Sequence, residues 1–325
     1  MKKIYRAFLA MTVTALLGTA FTGMAAAEEL RIATQPIPHY APIFVAKQKK
    51  WLDEELVKAG ARNTGVKWAS FSAGPPINES FASGQQDVGL LGDTPAIIGK
   101  AAGIDTRIVG LTSTGPRSLA VIVPVGSGIK SPKELKGKKV AVVKGSYAHH
   151  LLVLVLQKAG LTTNDIELIN LSQADIATAI VNRNIDAAAV WEPLITKLEG
   201  QGAIRVLADG TGIKKGLLVI IATSDAVTKR REQVKAFLKA YARGAKYIKS
   251  NPKEAAHLIA GDVNLPPEQL TKVLAKFDYN PAIQADDIEE IKKSELFMRN
   301  AGLIKSPVNI DKFADPSLAR ESGIK

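Results

Sequence analysis

The run Ser131-Pro-Lys-Glu-Leu-Lys-Gly-Lys-Lys-Val-Ala-Val-Val-Lys-Gly-Ser-Tyr-Ala-His149 decides the fold. Pro132 starts a short helix, Gly137 ends it, and residues 139–143 are apolar enough for a buried strand. Gly145 and Ser146 then make a turn that opens a helix over 147–159. This is how an α/β unit begins, and it stands in mid-chain. Upstream, Val88-Gly-Leu-Leu-Gly92-Asp93-Thr94-Pro95 has the same construction of strand, glycine turn and helix start. Two α/β units are expected.

Working outward, β-rich runs at 30–34, 65–70, 88–91, 108–112, 120–124, 139–143, 167–171, 187–190, 204–209 and 217–223 alternate with helical stretches at 41–50, 76–83, 95–102, 147–159, 175–182 and 193–199. That alternation predicts mostly parallel strands. After Asp225 the pattern becomes consecutive helices at 233–250, 252–260, 267–277 and 288–300, with Pro252, Pro267 and Pro281 at starts or breaks. The strand at 120–124 is expected to lead out of the first unit and 217–223 to lead back. One lobe is then 28–122 with 218–325, and the other, 123–217, is inserted in it. Two lobes on a double crossover form a hinge with a closable cleft.

Composition fits this reading. With 325 residues, 46% hydrophobic and 23% charged, the chain can bury about two cores and is neither disordered nor fibrous. It has no cysteine, which removes disulfides, thiolate metal sites, cysteine nucleophiles and thioether lipid anchors. The net charge of +12 is spread, without the basic blocks or interleaved aromatics of a nucleic-acid surface, and suits small anions. Residues 1–27 have a basic start at Lys2, Lys3 and Arg6, an apolar stretch at 7–17 and Ala25-Ala26-Ala27 before the first acids. They read as a cleaved export signal, and a free, cysteine-less product implies a bacterial periplasm.

Catalytic and metal spacings are missing. There is no G-x-S-x-G, Walker A or H-E-x-x-H run, and His39, His149, His150 and His257 do not form a ligand triad. No cofactor and no metal is implied. What recurs is the helix start after a glycine turn, at Gly92-Asp93-Thr94 and at Ser146-Tyr147-Ala148-His149, with Gly74 ahead of Pro75-Pro76 as a third. Unpaired N–H groups and the helix dipole make such ends receptors for oxyanions. Asp93 and Ser146 also read as ordinary N-caps, and Asp93 competes with an anion for the same donors. Trp191-Glu192-Pro193 ends a strand, offering an aromatic wall and a carboxylate, while Gln35, His39 and Tyr40 follow the first strand, where open sheets place ligands. Arg117 is a lone candidate counter-ion.

Phe71-Ser-Ala-Gly-Pro-Pro with Phe81-Ala-Ser-Gly, Asp87-Val-Gly-Leu-Leu-Gly-Asp-Thr-Pro, Ala101-Ala-Gly, Leu135-Lys-Gly-Lys-Lys-Val-Ala, Lys144-Gly-Ser-Tyr-Ala-His, Ile185-Asp-Ala-Ala-Ala-Val-Trp-Glu-Pro and Arg205-Val-Leu-Ala-Asp-Gly-Thr come in one order. Together they resemble the periplasmic aliphatic-sulfonate-binding proteins of ABC importers, to which taurine, nitrate and thiamine-precursor receptors are similar in outline. The resemblance implies a type II periplasmic-binding-protein fold, two α/β lobes joined by a two-strand hinge with the ligand cleft between. It implies a small organic anion as ligand, a permease with a cytoplasmic ATPase as partner, and a monomer. It maps the ligand loops onto Gln35, Gly74, Gly92, Asp93, Thr94, Ser146, Tyr147, Ala148, His149, Trp191 and Glu192. Tyr147 and Glu192 depart from the smaller residue and the aspartate expected there, which bears on the ligand. Taurine would need Glu192 or Asp93 for its ammonium. An enzyme related to thiamine-pyrimidine synthesis and a sensory domain are the readings from other classes.

Overall fold

The computed structural model describes residues 29–325, so the expected export signal at 1–27 lies outside the described residues. Ten strands are present: β1 (Glu29–Thr34), β2 (Gly65–Ser70), β3 (Val88–Gly92), β4 (Thr106–Ser113), β5 (Leu119–Pro124), β6 (Lys139–Val142), β7 (Glu167–Asn170), β8 (Ala187–Trp191), β9 (Ile204–Asp209) and β10 (Leu218–Thr223). They form two five-stranded sheets of one design, ordered β2-β1-β3-β10-β4 and β7-β6-β8-β5-β9. In each, three strands run parallel and the fourth is antiparallel to both its neighbours. β3 and β8 are central and buried along their whole length, which is why Val88-Gly-Leu-Leu and Ala187-Ala-Ala-Val read as unbroken apolar runs.

The start of the second unit forms as its residues dictate. Ser131 caps a short 3-10 helix, Pro132–Leu135, through a capping box with Glu134, and Gly137 at φ +71° turns the chain into β6. The helix Tyr147–Lys158 follows, its Ser146 cap accepting the His149 N–H at 3.2 Å. After β10 the helices pack mainly on the first unit. Arg231–Ser250 lies on Ala41–Gln48 and Trp51–Lys58, and Ala285–Asn300 on Asp93–Ala101. Among the described residues no helix is long and apolar enough to cross a membrane.

Two expectations are corrected. The helix expected over 41–50 ends at Gln48, and a second one, Trp51–Lys58, starts after Lys50 takes φ +56°. The lobe boundary at 122/123 would cut β5, which is hydrogen-bonded to β8 on one side and β9 on the other and so belongs wholly to the second sheet. The sheets are joined instead by 114–118 and 210–217. These two segments are bonded to each other: Gly115 N–H donates to Lys215 O at 3.0 Å and Gly210 N–H to Pro116 O at 2.8 Å.

Glycine is required where they touch. Gly216 has φ +63°, and a Cβ there would run into the Gly115 carbonyl and Leu119 Cδ2. Gly216→Ala is therefore expected to cost about 2–3 kcal/mol in urea unfolding, from the left-handed backbone and the clash together. A change under about 0.5 kcal/mol would show that the crossover relaxes freely.

Candidate ligand site

Where the two sheets face each other, the carboxyl ends of β1, β2 and β3 meet those of β6 and β8 around one cavity. It is narrow, with about 30 Å³ open to the centre of a water molecule. The first unit contributes Gln35, Ile37 and Tyr40 after β1, Ala73, Gly74 and Pro75 after β2, and Gly92 and Pro95 after β3. The second contributes Val143 to Tyr147 after β6 and Trp191 at the end of β8.

Three helices begin at this cavity: Gly74–Ala82, Asp93–Ala101 and Tyr147–Lys158. Their donors are unequal. Pro75 and Pro76 have no N–H, so of the first three helical residues only Gly74 has one to offer. The third has no proline and no acid in its first turn, so the N–H groups of Tyr147 and Ala148 face the cavity end with the full positive dipole. Gly74 is needed for closeness, because a Cβ there would stand 2.6 Å from the Pro95 ring.

Of the expected residues, Gln35, Gly74, Gly92, Ser146, Tyr147 and Trp191 line the cavity. Gln35 donates its amide to the Tyr40 hydroxyl at 2.9 Å. The Tyr147 and Trp191 rings lie 5.6 Å apart and form an aromatic wall with Ile37, Val143 and Leu218. Tyr147 also reaches across the lobes, its hydroxyl 2.8 Å from His39 Nε2. The departure at Tyr147 thus shapes the cavity and ties the two units together beside it.

Asp93, Thr94, Ala148, His149 and Glu192 do not line it. The Asp93 side chain is fully buried behind the wall, bonded to Lys214 and Ser294. The Thr94 N–H is taken by Asp93 Oδ1 at 2.8 Å, and Thr94 Oγ1 is buried without a partner. Ala148 is buried and has only backbone to offer. His149 turns its ring back to accept the Gly145 N–H at Nδ1, 3.3 Å, against the Phe297 ring. Glu192 is turned away by Thr196, which donates from its N–H and its hydroxyl, and by Lys276. Both acids considered for an ammonium are therefore paired elsewhere, and no carboxylate is on the cavity wall. Arg117 is exposed on the first crossover, away from the cavity.

Sequence reading missed Leu218, because it begins an antiparallel strand and enters the cavity from the amino end. It also missed Lys214, whose setting, Thr211-Gly-Ile-Lys-Lys, reads as a solvated loop although the side chain is fully buried. Burial dominates the local titration. It lowers His39 to about 3, and His150 to about 2 with help from Lys214 and His149. It raises the Tyr147 phenol well above its ordinary value, against a hydrogen bond with Ser118.

A family model described as NMT1/THI5 like matches residues 37–255. A Bacillus subtilis (strain 168) protein named for binding aliphatic sulfonates is 32% identical over 263 residues, 80% of this chain and 77% of that protein. The crystal structure of the periplasmic aliphatic sulphonate binding protein SsuA from Escherichia coli matches with a TM-score of 0.79 at 28% identity, over 88% of this chain and 97% of that one. The alkanesulfonate-binding protein SsuA from Xanthomonas axonopodis pv. citri, solved bound to MOPS, matches at 0.80 and 27% identity, over 89% and 99%. The two sheets and their crossovers are thus the type II periplasmic-binding-protein fold. With the family model covering more than half of the sequence, the chain belongs to the NMT1/THI5-like family.

Proposed function

We propose that the chain is a periplasmic receptor of an ABC importer, exported by a cleaved signal and acting as a monomer, which captures an aliphatic sulfonate between its lobes and delivers it to a permease with a cytoplasmic ATPase. One observation carries the reading: helix starts from both lobes and an aromatic wall meet in a cavity that holds no carboxylate. A sulfonate has three acceptor oxygens and stays ionised, so neutral donors suffice to hold it once water is excluded. Backbone N–H groups of Gly74, Tyr147 and Ala148 and the Ser146 hydroxyl would bind the head, while Trp191, Tyr147, Leu218 and Ile37 would cover the tail. Gln35 would complete the donors. Closure follows from the ligand touching both lobes at once, since binding shifts the hinge only by its differential affinity for the closed state.

Binding rather than turnover is also favoured. Among the described residues no thiol, carboxylate or imidazole lines the cavity, and the His149 ring bonds to Gly145 instead of the Ser146 hydroxyl.

Calorimetry on protein unfolded and refolded to strip carried-over ligand tests this. Ethanesulfonate should bind with micromolar or better affinity. Trp191→Ala and Ser146→Ala should each weaken it about tenfold or more, from lost apolar cover and from a lost hydrogen bond to a charged group. Taurine should bind about tenfold or more weaker, because its ammonium would be desolvated without a partner. Tighter binding of taurine or nitrate would sink the sulfonate assignment.

A further inference from the structure

Resting on that reading, one buried group near the cavity has no part in it so far. Lys214 lies in the second crossover, 210–217, with its side chain fully buried. Its ammonium stands 3.0 Å from Asp93 Oδ2 and 3.0 Å from Ser294 Oγ, with Glu290 Oε1 at 3.8 Å. Ser294 in turn donates to Asp93 Oδ2 at 2.5 Å and is 3.3 Å from His150 Nδ1 on the other lobe. Glu290 is also buried, but its Oε1 is shared with the Lys215 N–H at 3.1 Å and its Oε2 lies 3.9 Å from Lys293, so Asp93 is the acid closest to Lys214.

Asp93 is the first residue of the helix Asp93–Ala101, and both Gly92 and Pro95 line the cavity. Its carboxylate therefore sits directly behind the wall that would receive the anion, already taking the Thr94 N–H. The other two helix starts carry no acid in their first turn. An uncompensated charge at this depth acts on a second charge a few ångströms away through low-dielectric protein, where salt does not screen it.

We propose that Lys214 is a positioning residue for anion capture: from its place in the crossover it cancels the charge of Asp93 and so keeps the field at the cavity favourable to an anion. The ligand touches neither residue. The residue type is set by the task, since an apolar side chain at 214 would pack as well but leave the acid unopposed.

The sign of the effect is the test. Lys214→Met leaves a buried negative charge and Asp93→Asn a buried positive one, so both should lower the melting temperature. Their effects on ethanesulfonate affinity should diverge. Lys214→Met should weaken binding about tenfold or more, about 1.4 kcal/mol, while Asp93→Asn leaves it unchanged or tighter. The neutral pair Asp93→Asn with Lys214→Met should return to within about threefold of the wild type, and it decides alone should a single variant not fold. Singles that both weaken binding, or a folded neutral pair more than about tenfold weaker, would overturn the inference. A wild-type chain that binds no anion would overturn the receptor reading and this inference with it.

Discussion

Near pH 5 the chain is expected to lose about 4 kcal/mol of stability per pH unit, the slope of nearly three protons taken up on unfolding, and less per unit toward pH 6 and pH 4. The protons belong to His39, His149 and His150. Burial lowers them to about 3, about 4 and about 2, with Lys144 adding to the effect at His149 and Lys214 and His149 adding at His150. In the unfolded chain each titrates near its ordinary value of about 6.5, so below that pH the unfolded state binds protons that the folded state refuses. Stability then falls as pH falls. The contacts show why refusal holds. His149 Nδ1 accepts the Gly145 N–H and would have to become a donor facing a donor. His150 stacks on Phe297 at 4.2 Å with Lys214 nearby, and His39 packs between Tyr147 and Phe277. Urea unfolding from pH 7.5 to 4.5 checks this, and His150→Gln should remove about one proton from the slope. A slope below one proton across the window would mean that these rings are hydrated in the folded state.

The sheets were legible because their strands are central. An unbroken apolar run between glycine turns, as in Val88-Gly-Leu-Leu-Gly, leaves few alternatives to a strand buried on both faces. The break at Lys50 was not legible, since a left-handed lysine has no sequence mark and the apolar positions continue through it. The crossovers were misplaced for a related reason. β5 and β10 look like connectors because they are reached from the other unit, but each is hydrogen-bonded on both edges within one sheet, and the links are the glycine-bearing segments beside them. At the cavity, glycine turns before helices pointed to loops that line it. They could not show which way a side chain turns: Asp93 and Glu192 have the positions of ligand residues, yet Lys214 and Lys276, distant in sequence, draw them off the wall. Long-range ion pairs are what local pattern reading cannot see. The same partners remove the acids that would have favoured an ammonium-bearing ligand, so the proposed ligand class rests on contacts that only the fold creates.

Asp87→Ala should cost about 3–5 kcal/mol at pH 7, the range for breaking a buried pair from one side. Sequence reading used Asp87 only as part of a family run, but it is 1% exposed and ties four elements together. Its Oδ2 accepts the Arg31 N–H at 2.8 Å and Arg31 Nε at 3.0 Å, its Oδ1 accepts Arg31 Nη2 at 2.6 Å and a second bond from Arg230, and its backbone bonds to Arg31 and Thr223. The carboxylate joins β1 to the entry of the helix Arg231–Ser250, while the Asp87 backbone, just ahead of β3, bonds to β1 and to the end of β10. Burial by itself would raise the acid, but the hydrogen bonds from Arg31 and Arg230 outweigh it and hold the carboxyl below its ordinary value. A carboxyl depressed in the folded state contributes its full stability above about pH 3.9, the unfolded value, and loses it as pH falls through the folded one. The cost of Asp87→Ala should accordingly be the same at pH 7 and pH 5, where the histidines are already at work, and shrink only below about pH 4. That separation keeps the two effects apart in one titration. A cost that faded between pH 7 and pH 5 would place the loss elsewhere than in this ion pair, and a cost under about 1 kcal/mol would mean that Arg31 and Arg230 find water or other acceptors as readily as they find Asp87.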